Sequence, residues 1–249
     1  MERTALITGA SGGIGAACAR RLARDGYRVL VAARRVERCQ SLAEEIGGRA
    51  LPLDVTDPEA VRGLADALTS LDVLVNNAGG ALGADPVATG DLADWSQMFD
   101  TNVLGAARVI QALLPLLRAS DAATIVNITS TAGFVNYEGG GGYCAAKHAE
   151  HAMTETLRLE LCGEPIRVIE IAPGMVQSEG FALTRFRGDA EKAAAVYQDV
   201  DRPLTAEDVA DCVGLAVGLP QHVNIDQLVV RPLAQAAQHK LHRGPLFAR

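Results

Sequence analysis

Thr4-Ala5-Leu6-Ile7-Thr8-Gly9-Ala10-Ser11-Gly12-Gly13-Ile14-Gly15 begins with strand character and turns through a glycine cluster into a helical pattern. A pyrophosphate needs backbone N–H groups close by and a helix N-terminus facing it. Glycines allow that approach because they lack Cβ and tolerate positive φ. The spacing is Gly9-x3-Gly13-x-Gly15, not the GxGxxG of the usual dinucleotide fingerprint. A glycine-rich turn with no ligand is the alternative, and the strand before and helix after weigh against it.

Working outward, the same rhythm continues to the end of the chain. Strand candidates are 4–8, 28–33, 50–55, 72–76, 124–128, 167–171 and 227–230. Val29-Leu30-Val31-Ala32-Ala33 and Val73-Leu74-Val75 are apolar throughout, as strands are when helices cover both faces of a parallel sheet. Helical patterns fall near 14–25, 36–46, 58–69, 95–117, 143–162 and 206–217, with Gly26 and Gly163 placed for left-handed caps. The alternation predicts an α/β fold: a single-domain, Rossmann-type doubly wound parallel sheet of about seven strands flanked by helices. Two stretches break the rhythm, 131–142 and the long mixed segment 175–203. Both follow strands, so both belong at the carboxyl edge where such sheets bind ligands.

The bulk properties agree. With 249 residues, 49% apolar and 21% charged, the chain can bury one extensive core. A net charge of -7 argues against a polyanion partner, so no nucleic acid is expected. No apolar run is long enough for a membrane span. The start, Met1-Glu2-Arg3-Thr4, lacks the pattern of a signal peptide. Cys18, Cys39, Cys144, Cys162 and Cys212 have no CxxC spacing and read as reduced thiols of a cytoplasmic protein.

The second strand ends Ala32-Ala33-Arg34-Arg35. NAD binders usually place a carboxylate there for the ribose 2′-hydroxyl, whereas two guanidinium groups suit the 2′-phosphate that distinguishes NADP. Ser11 could add a hydroxyl donor. A solvated helix start is the alternative for the two arginines, and NADP(H) is the expected cofactor. Asp54-Val55 at the end of the third strand and Asn76-Asn77-Ala78-Gly79 at the end of the fourth fit an adenosine groove. An Asp at a strand end is also a common turn former.

Tyr143-Cys144-Ala145-Ala146-Lys147 sets a phenol and an ammonium one helical turn apart on one face. A free phenol is a poor base at neutral pH, and a neighbouring cation favours its ionised form. Tyr143 could then exchange a proton with a carbonyl or alcohol oxygen while hydride moves at carbon. Ser130, just past the fifth strand, could hydrogen-bond the same oxygen.

As a set, Thr8–Gly15, Asn76–Gly79, Asn102 in Asn102-Val103-Leu104-Gly105, Ser130, Tyr143, Lys147 and Pro173-Gly174 resemble the short-chain dehydrogenase/reductase family along essentially the whole chain. The resemblance implies a catalytic tetrad of Asn102, Ser130, Tyr143 and Lys147, in which Asn102 holds a relay water and Lys147 also contacts the nicotinamide ribose. It implies cofactor contacts from Gly9, Ser11, Gly13, Ile14, Gly15, Arg34, Arg35, Asp54, Val55, Asn76, Ala78, Gly79, Tyr143 and Lys147. Pro173, Gly174, Val176 and Ser178 join them in a segment that resembles the family's nicotinamide loop. Ser178 stands where threonine is common. The resemblance further implies ketoreductase or alcohol dehydrogenase activity on a small carbonyl or alcohol substrate, and a homotetramer or homodimer built on the helices at 95–117 and 143–162.

Phe186-Arg187-Gly188-Asp189, Ala193-Ala194-Ala195-Val196-Tyr197 and Leu219-Pro220-Gln221-His222-Val223-Asn224-Ile225 resemble the NADP-dependent 3-hydroxy acid (serine-type) dehydrogenase branch. The tail 234–249 departs from that branch and is assigned to assembly or to capping a site. Arg185 and Arg187 are candidates for a substrate carboxylate clamp, with a solvated lid as the alternative. Phe181, Leu183, Phe186 and Tyr137 are candidates to line an apolar pocket. His148 and His151 lack a third ligand at fixed spacing, so no metal is assigned and a surface or interface role is expected. Rival readings are a nucleotide-sensing regulator, an NAD-preferring dehydrogenase, and an epimerase or dehydratase. The short stretch after Gly174 argues against the last.

Overall fold

The computed structural model describes residues 3–247, so Met1, Glu2 and the last two residues of the tail lie outside it. Seven strands form one parallel sheet in the order β3-β2-β1-β4-β5-β6-β7. They are β1 Thr4–Thr8, β2 Arg28–Ala33, β3 Arg49–Pro52, β4 Val73–Asn76, β5 Ala123–Ile128, β6 Ile166–Pro173 and β7 Gln227–Val230. Between them run α1 Gly13–Arg24, α2 Val36–Ile46, α3 Pro58–Asp66, α4 Leu92–Phe99, α5 Gly105–Arg118, α6 Gly141–Glu160, α7 Phe181–Arg185, α8 Ala190–Ala195 and α9 Ala206–Gly218. This is the doubly wound Rossmann-type arrangement, and the central strands are buried on both faces as their unbroken apolar runs require.

One core packs α1 and α9 against one face of the sheet, through Cys18, Leu22, Val209 and Val213. A second packs α3 and α5 against the other, through Val61, Leu64, Leu113 and Leu117. Helix starts follow local chemistry. Asp57 caps α3 by accepting from the Glu59 N–H, with Pro58 at the first helical position, and Thr205 and Asp208 cap α9 reciprocally. Gly26 and Gly163 take positive φ as expected of cap glycines.

The strand order reverses between β1 and β4, the switch point beyond whose carboxyl ends doubly wound sheets form a ligand crevice. Thr8 stitches them there: its hydroxyl accepts from the N–H groups of Asn77 and Ala78, each at 3.0 Å.

Two expectations are corrected. The helix expected over 95–117 begins at Leu92 and carries a π turn over Asp100–Leu104 between α4 and α5. The extra residue in that turn goes with the hydrogen bonds of Asn102, described below, and with Gly105 lying against Val55, where a Cβ would come within 2.6 Å. The third strand stops at Pro52, so Asp54 and Val55 lie in the loop beyond it. The tail, assigned from sequence to assembly or to capping a site, forms a two-stranded hairpin, β8 Gln235–Ala237 and β9 Lys240–Leu241, whose Gln235 reaches the Met175 N–H.

Candidate active site

A cleft of about 530 Å³ runs along the carboxyl edge from Arg34 and Arg35 at one end to Ser130, Tyr143 and Lys147 at the other. Its floor is the glycine turn. Gly9 and Gly13 adopt φ of +65° and +53°, a region that other residues enter at a steric cost. A Cβ on Gly15 would lie 2.5 Å from Asn77 Nδ2 and 2.6 Å from the Gly9 carbonyl, so close packing of turn on helix requires glycine there. Asn77 donates to the carbonyls of Thr8 and Gly9 at 3.0 and 3.3 Å and holds the turn's shape.

At the far end, Arg35 Nη2 and Nε donate to Ser11 Oγ at 3.0 and 3.3 Å. Arg34 has no hydrogen-bond partner among the described residues and is exposed at the cleft. Arg38, one turn along α2, lines the same end and pairs with Glu179 at 2.7 Å. That ion pair connects α2 to the loop after Ser178 across the glycine turn. The lid above the turn is the segment Pro173–Gly180. Its course is set by Gly174 donating to the Val230 carbonyl at 2.7 Å and by Met175 donating to Gln235 Oε1 at 2.8 Å. Gln235 is buried, so the tail braces the loop next to the reaction end of the cleft.

Glycines without Cβ, a helix N-terminus and three guanidinium groups at one end form a donor set that fits an adenine dinucleotide with a 2′-phosphate. Of the residues expected to touch it, Gly9, Ser11, Gly13, Ile14, Arg34, Arg35, Asp54, Val55, Ala78, Gly79, Tyr143, Lys147, Pro173, Gly174, Val176 and Ser178 line the cleft. Asn76 does not. It is buried in the sheet, where its amide donates to Asn127 Oδ1 at 3.0 Å, and its neighbour Asn77 faces the cleft instead. Gly15 also lies behind the lining, as a packing glycine. Asp54 lines the groove, but one oxygen accepts from the N–H and hydroxyl of Thr56, the turn-forming role, which with nearby Arg34 outweighs burial and holds its carboxyl below the usual range.

At the reaction end, β5 delivers Ser130 and α6 delivers Tyr143 and Lys147, all three buried. The Lys147 ammonium lies 5.9 Å from the centroid of the Tyr143 ring. Lys147 Nζ donates to the Ile128 carbonyl at 3.2 Å and to Glu150 Oε2 at 2.6 Å, leaving one N–H for the cleft it lines. Burial works against the Lys147 ammonium, but Glu150, with Tyr143 and Glu170, more than offsets it and holds the pKa above the ordinary lysine value. Ser130 Oγ accepts from the Ala132 N–H at 3.1 Å, which orients the hydroxyl. Phe181 of α7 packs edge-on to Tyr143 with centroids 5.9 Å apart and, with Thr184, walls this end of the cleft.

Asn102 sits behind the lining. Its amide donates to the carbonyls of Gly80 and Met98 at 3.0 and 2.7 Å, and its oxygen accepts from the Gly80 N–H at 3.1 Å. All these contacts are to backbone, and they fix the cleft wall at Gly79–Gly80.

Arg185 does not line the cleft. Its nitrogens donate to the Gly83 carbonyl, the Gly139 carbonyl and the Tyr137 hydroxyl at 3.2, 3.1 and 2.9 Å, and Arg187 pairs with Asp94. The two arginines fasten α7 and the turn after it to the segments around Gly83, Asp94 and Gly139. His151 is half-buried: it keeps an edge towards the exposed Glu155, while its Nδ1 bonds the fully buried Glu170 at 2.8 Å. The residues that sequence reasoning passed over are Arg38, Glu150 and Glu179, while Asn77, quoted within Asn76–Gly79, takes the cleft position expected of Asn76. Arg38 and Glu150 each lie three residues after a residue already singled out, so helical spacing could have found them.

A parallel sheet whose switch point opens onto a glycine turn, with guanidinium groups at one end of the cleft and a buried phenol and ammonium at the other, defines a dinucleotide-dependent oxidoreductase site. The chain belongs to the short chain dehydrogenase family, which it matches over residues 3–186. It is 52% identical to an uncharacterised oxidoreductase of Mycobacterium tuberculosis, over 98% of this chain and 97% of that one. It is 39% identical to an NADP-dependent 3-hydroxy acid dehydrogenase of Salmonella typhi, over 96% and 99%. Its fold superimposes on the closed form of a serine dehydrogenase complexed with NADP+ with a TM-score of 0.91 at 38% identity, covering 96% of this chain and 99% of that chain.

Proposed function

We propose that the chain is an NADP(H)-dependent oxidoreductase that interconverts a carbonyl and an alcohol, with Tyr143 as proton donor or acceptor and Lys147 and Ser130 as its partners. The observation that carries this reading is the burial of Tyr143 and Lys147 one turn apart at one end of a cleft whose other end holds Arg34, Arg35 and Arg38. Bound NADP(H) supplies or accepts the hydride. The arginines and the turn Gly9–Ile14 hold the dinucleotide's phosphates, and Pro173–Ser178 covers the nicotinamide end. Tyr143 passes its phenolic proton to the substrate oxygen in reduction and takes one from the alcohol in oxidation. Lys147 favours the ionised phenol, and Ser130 donates to the oxygen as charge develops on it.

The relatives' names point to short 3-hydroxy acids and the corresponding keto acids as first substrates, ahead of polyketide-like ketones. An assembly of two or four copies through α5 and α6 belongs to the same reading, and sedimentation tests it. Tyr143→Phe is expected to lower turnover by at least about 100-fold, the usual contribution of a positioned acid or base, with NADPH affinity changed less than about twofold. Wild-type turnover in that variant removes Tyr143 from the mechanism. A protein that binds NADPH yet is inert toward every carbonyl offered would favour the regulatory reading.

A further inference from the structure

Beneath the cleft, on the side of Lys147 away from solvent, lies a group of acidic side chains that the proton chemistry above does not use. Glu150 is buried on α6, and its Oε2 sits 2.6 Å from Lys147 Nζ. Glu170 of β6 is fully buried behind the pair, with its oxygens bonded by Thr129 Oγ1 at 2.6 Å, His151 Nδ1 at 2.8 Å and Gln227 Nε2 at 2.9 Å. Glu170 therefore has three partners of its own, whereas Glu150 has Lys147.

A buried ion pair adds little net stability, because desolvating both charges cancels most of their attraction, and an apolar pair of the same volume often serves the fold as well. Removing one partner is different: it leaves the other charge buried and uncompensated. The Lys147 side chain is about 6% exposed, deep enough for desolvation to drive an unpaired ammonium toward its neutral form. A neutral amine would no longer favour ionisation of the phenol one turn away.

We propose that Glu150 is a positioning residue for the reaction: its carboxylate keeps the buried Lys147 ammonium charged and pins Nζ at the cleft beside Tyr143. This rests on the assignment of Tyr143 and Lys147 made above. The charged and titratable groups around the pair are Tyr143 and His151 on the same helix and Glu170 from β6. Burial pushes the Glu150 carboxyl up to about 6, with Lys147 pulling the other way and Glu170 adding to the rise. Glu150 is thus ionised at neutral pH and takes up a proton on mild acidification.

The test compares wild type, Glu150→Gln and Tyr143→Phe in alcohol oxidation against pH, alongside the phenolate absorbance of each cofactor-free protein. Glutamine keeps the size and an acceptor oxygen but removes the charge. The rising limb of kcat/KM is expected to move up by about one pH unit. Oxidation one unit below the wild-type limb then slows about tenfold. The phenolate signal lost in Tyr143→Phe should move the same way without any cofactor. Tyr137, pushed up to about 12 by burial, ionises outside that range. A limb that stays within about 0.3 unit of wild type, or moves down, overturns the proposal. If Tyr143→Phe turns over normally, the site assignment fails instead. Should Glu150→Gln not fold, Glu150→Asp takes its place. Its carboxylate is drawn back by one methylene, so the limb should rise by a smaller amount, and a limb and phenolate titration identical to wild type sink the idea.

Discussion

Replacing Arg34 by alanine isolates the recognition of the 2′-phosphate. The side chain is exposed at the cleft end of β2 and holds no hydrogen bond to the described residues, so its loss leaves no buried group unsatisfied and the fold intact. What remains is the contact proposed for it with the cofactor's 2′-phosphate. A charge-assisted hydrogen bond contributes about 1.5–3 kcal/mol. Exposure and ordinary salt screen this one toward the lower end, about 1.5 kcal/mol, or roughly tenfold in Kd. Arg35 is held in place by Ser11 and stays, so binding weakens without being abolished. Fluorescence titration is expected to show NADPH affinity falling about tenfold and NADH affinity changing less than about twofold. The gap between wild type and variant should narrow as salt is raised from about 0.05 to 0.5 M. Equal losses for the two dinucleotides, or no loss for NADPH, would refute the phosphate assignment.

Two further outcomes follow from side chains that hold the site's frame. Arg185→Ala removes the anchor joining α7 to Gly83, Gly139 and Tyr137, so KM should rise for neutral and acidic carbonyls alike; a rise confined to acidic substrates would restore the carboxylate clamp. Arg167 is buried at the start of β6 and donates to the carbonyls of Ala216, Val217 and Leu219 at the end of α9 and to Thr124 Oγ1. Arg167→Met strips these acceptors of their donor, an expected loss of about 3 kcal/mol, and calorimetry should show Tm falling by about 6–12 °C. A change under about 2 °C would show that water replaces the guanidinium there.

The linear chain determines the sheet and both ends of the cleft. Short β-branched apolar runs bounded by turns, such as Val29–Ala33, read as strands covered on both faces, and a glycine turn between strand and helix can be read without knowing any long-range contact. Tyr143 and Lys147 are legible for the same reason, since an interval of four residues on a helix is a local geometry. Tertiary structure alone decides what those side chains meet. Asn76 and Asn77 are equivalent in sequence, and the pleat sends the first into the sheet and the second to the cleft. Arg185 and His151 are residue types suited to ligand or surface, yet Gly83, Gly139 and Glu170 engage them from 46 or 102 residues away for the arginine and 19 for the histidine. The contacts of the π turn with Gly80 and Val55 and the tail hairpin against Met175 likewise depend on residues distant in the chain. A hydrogen bond or ion pair forms wherever packing brings two groups together, and spacing along the sequence reports that only within a helix turn or a strand repeat.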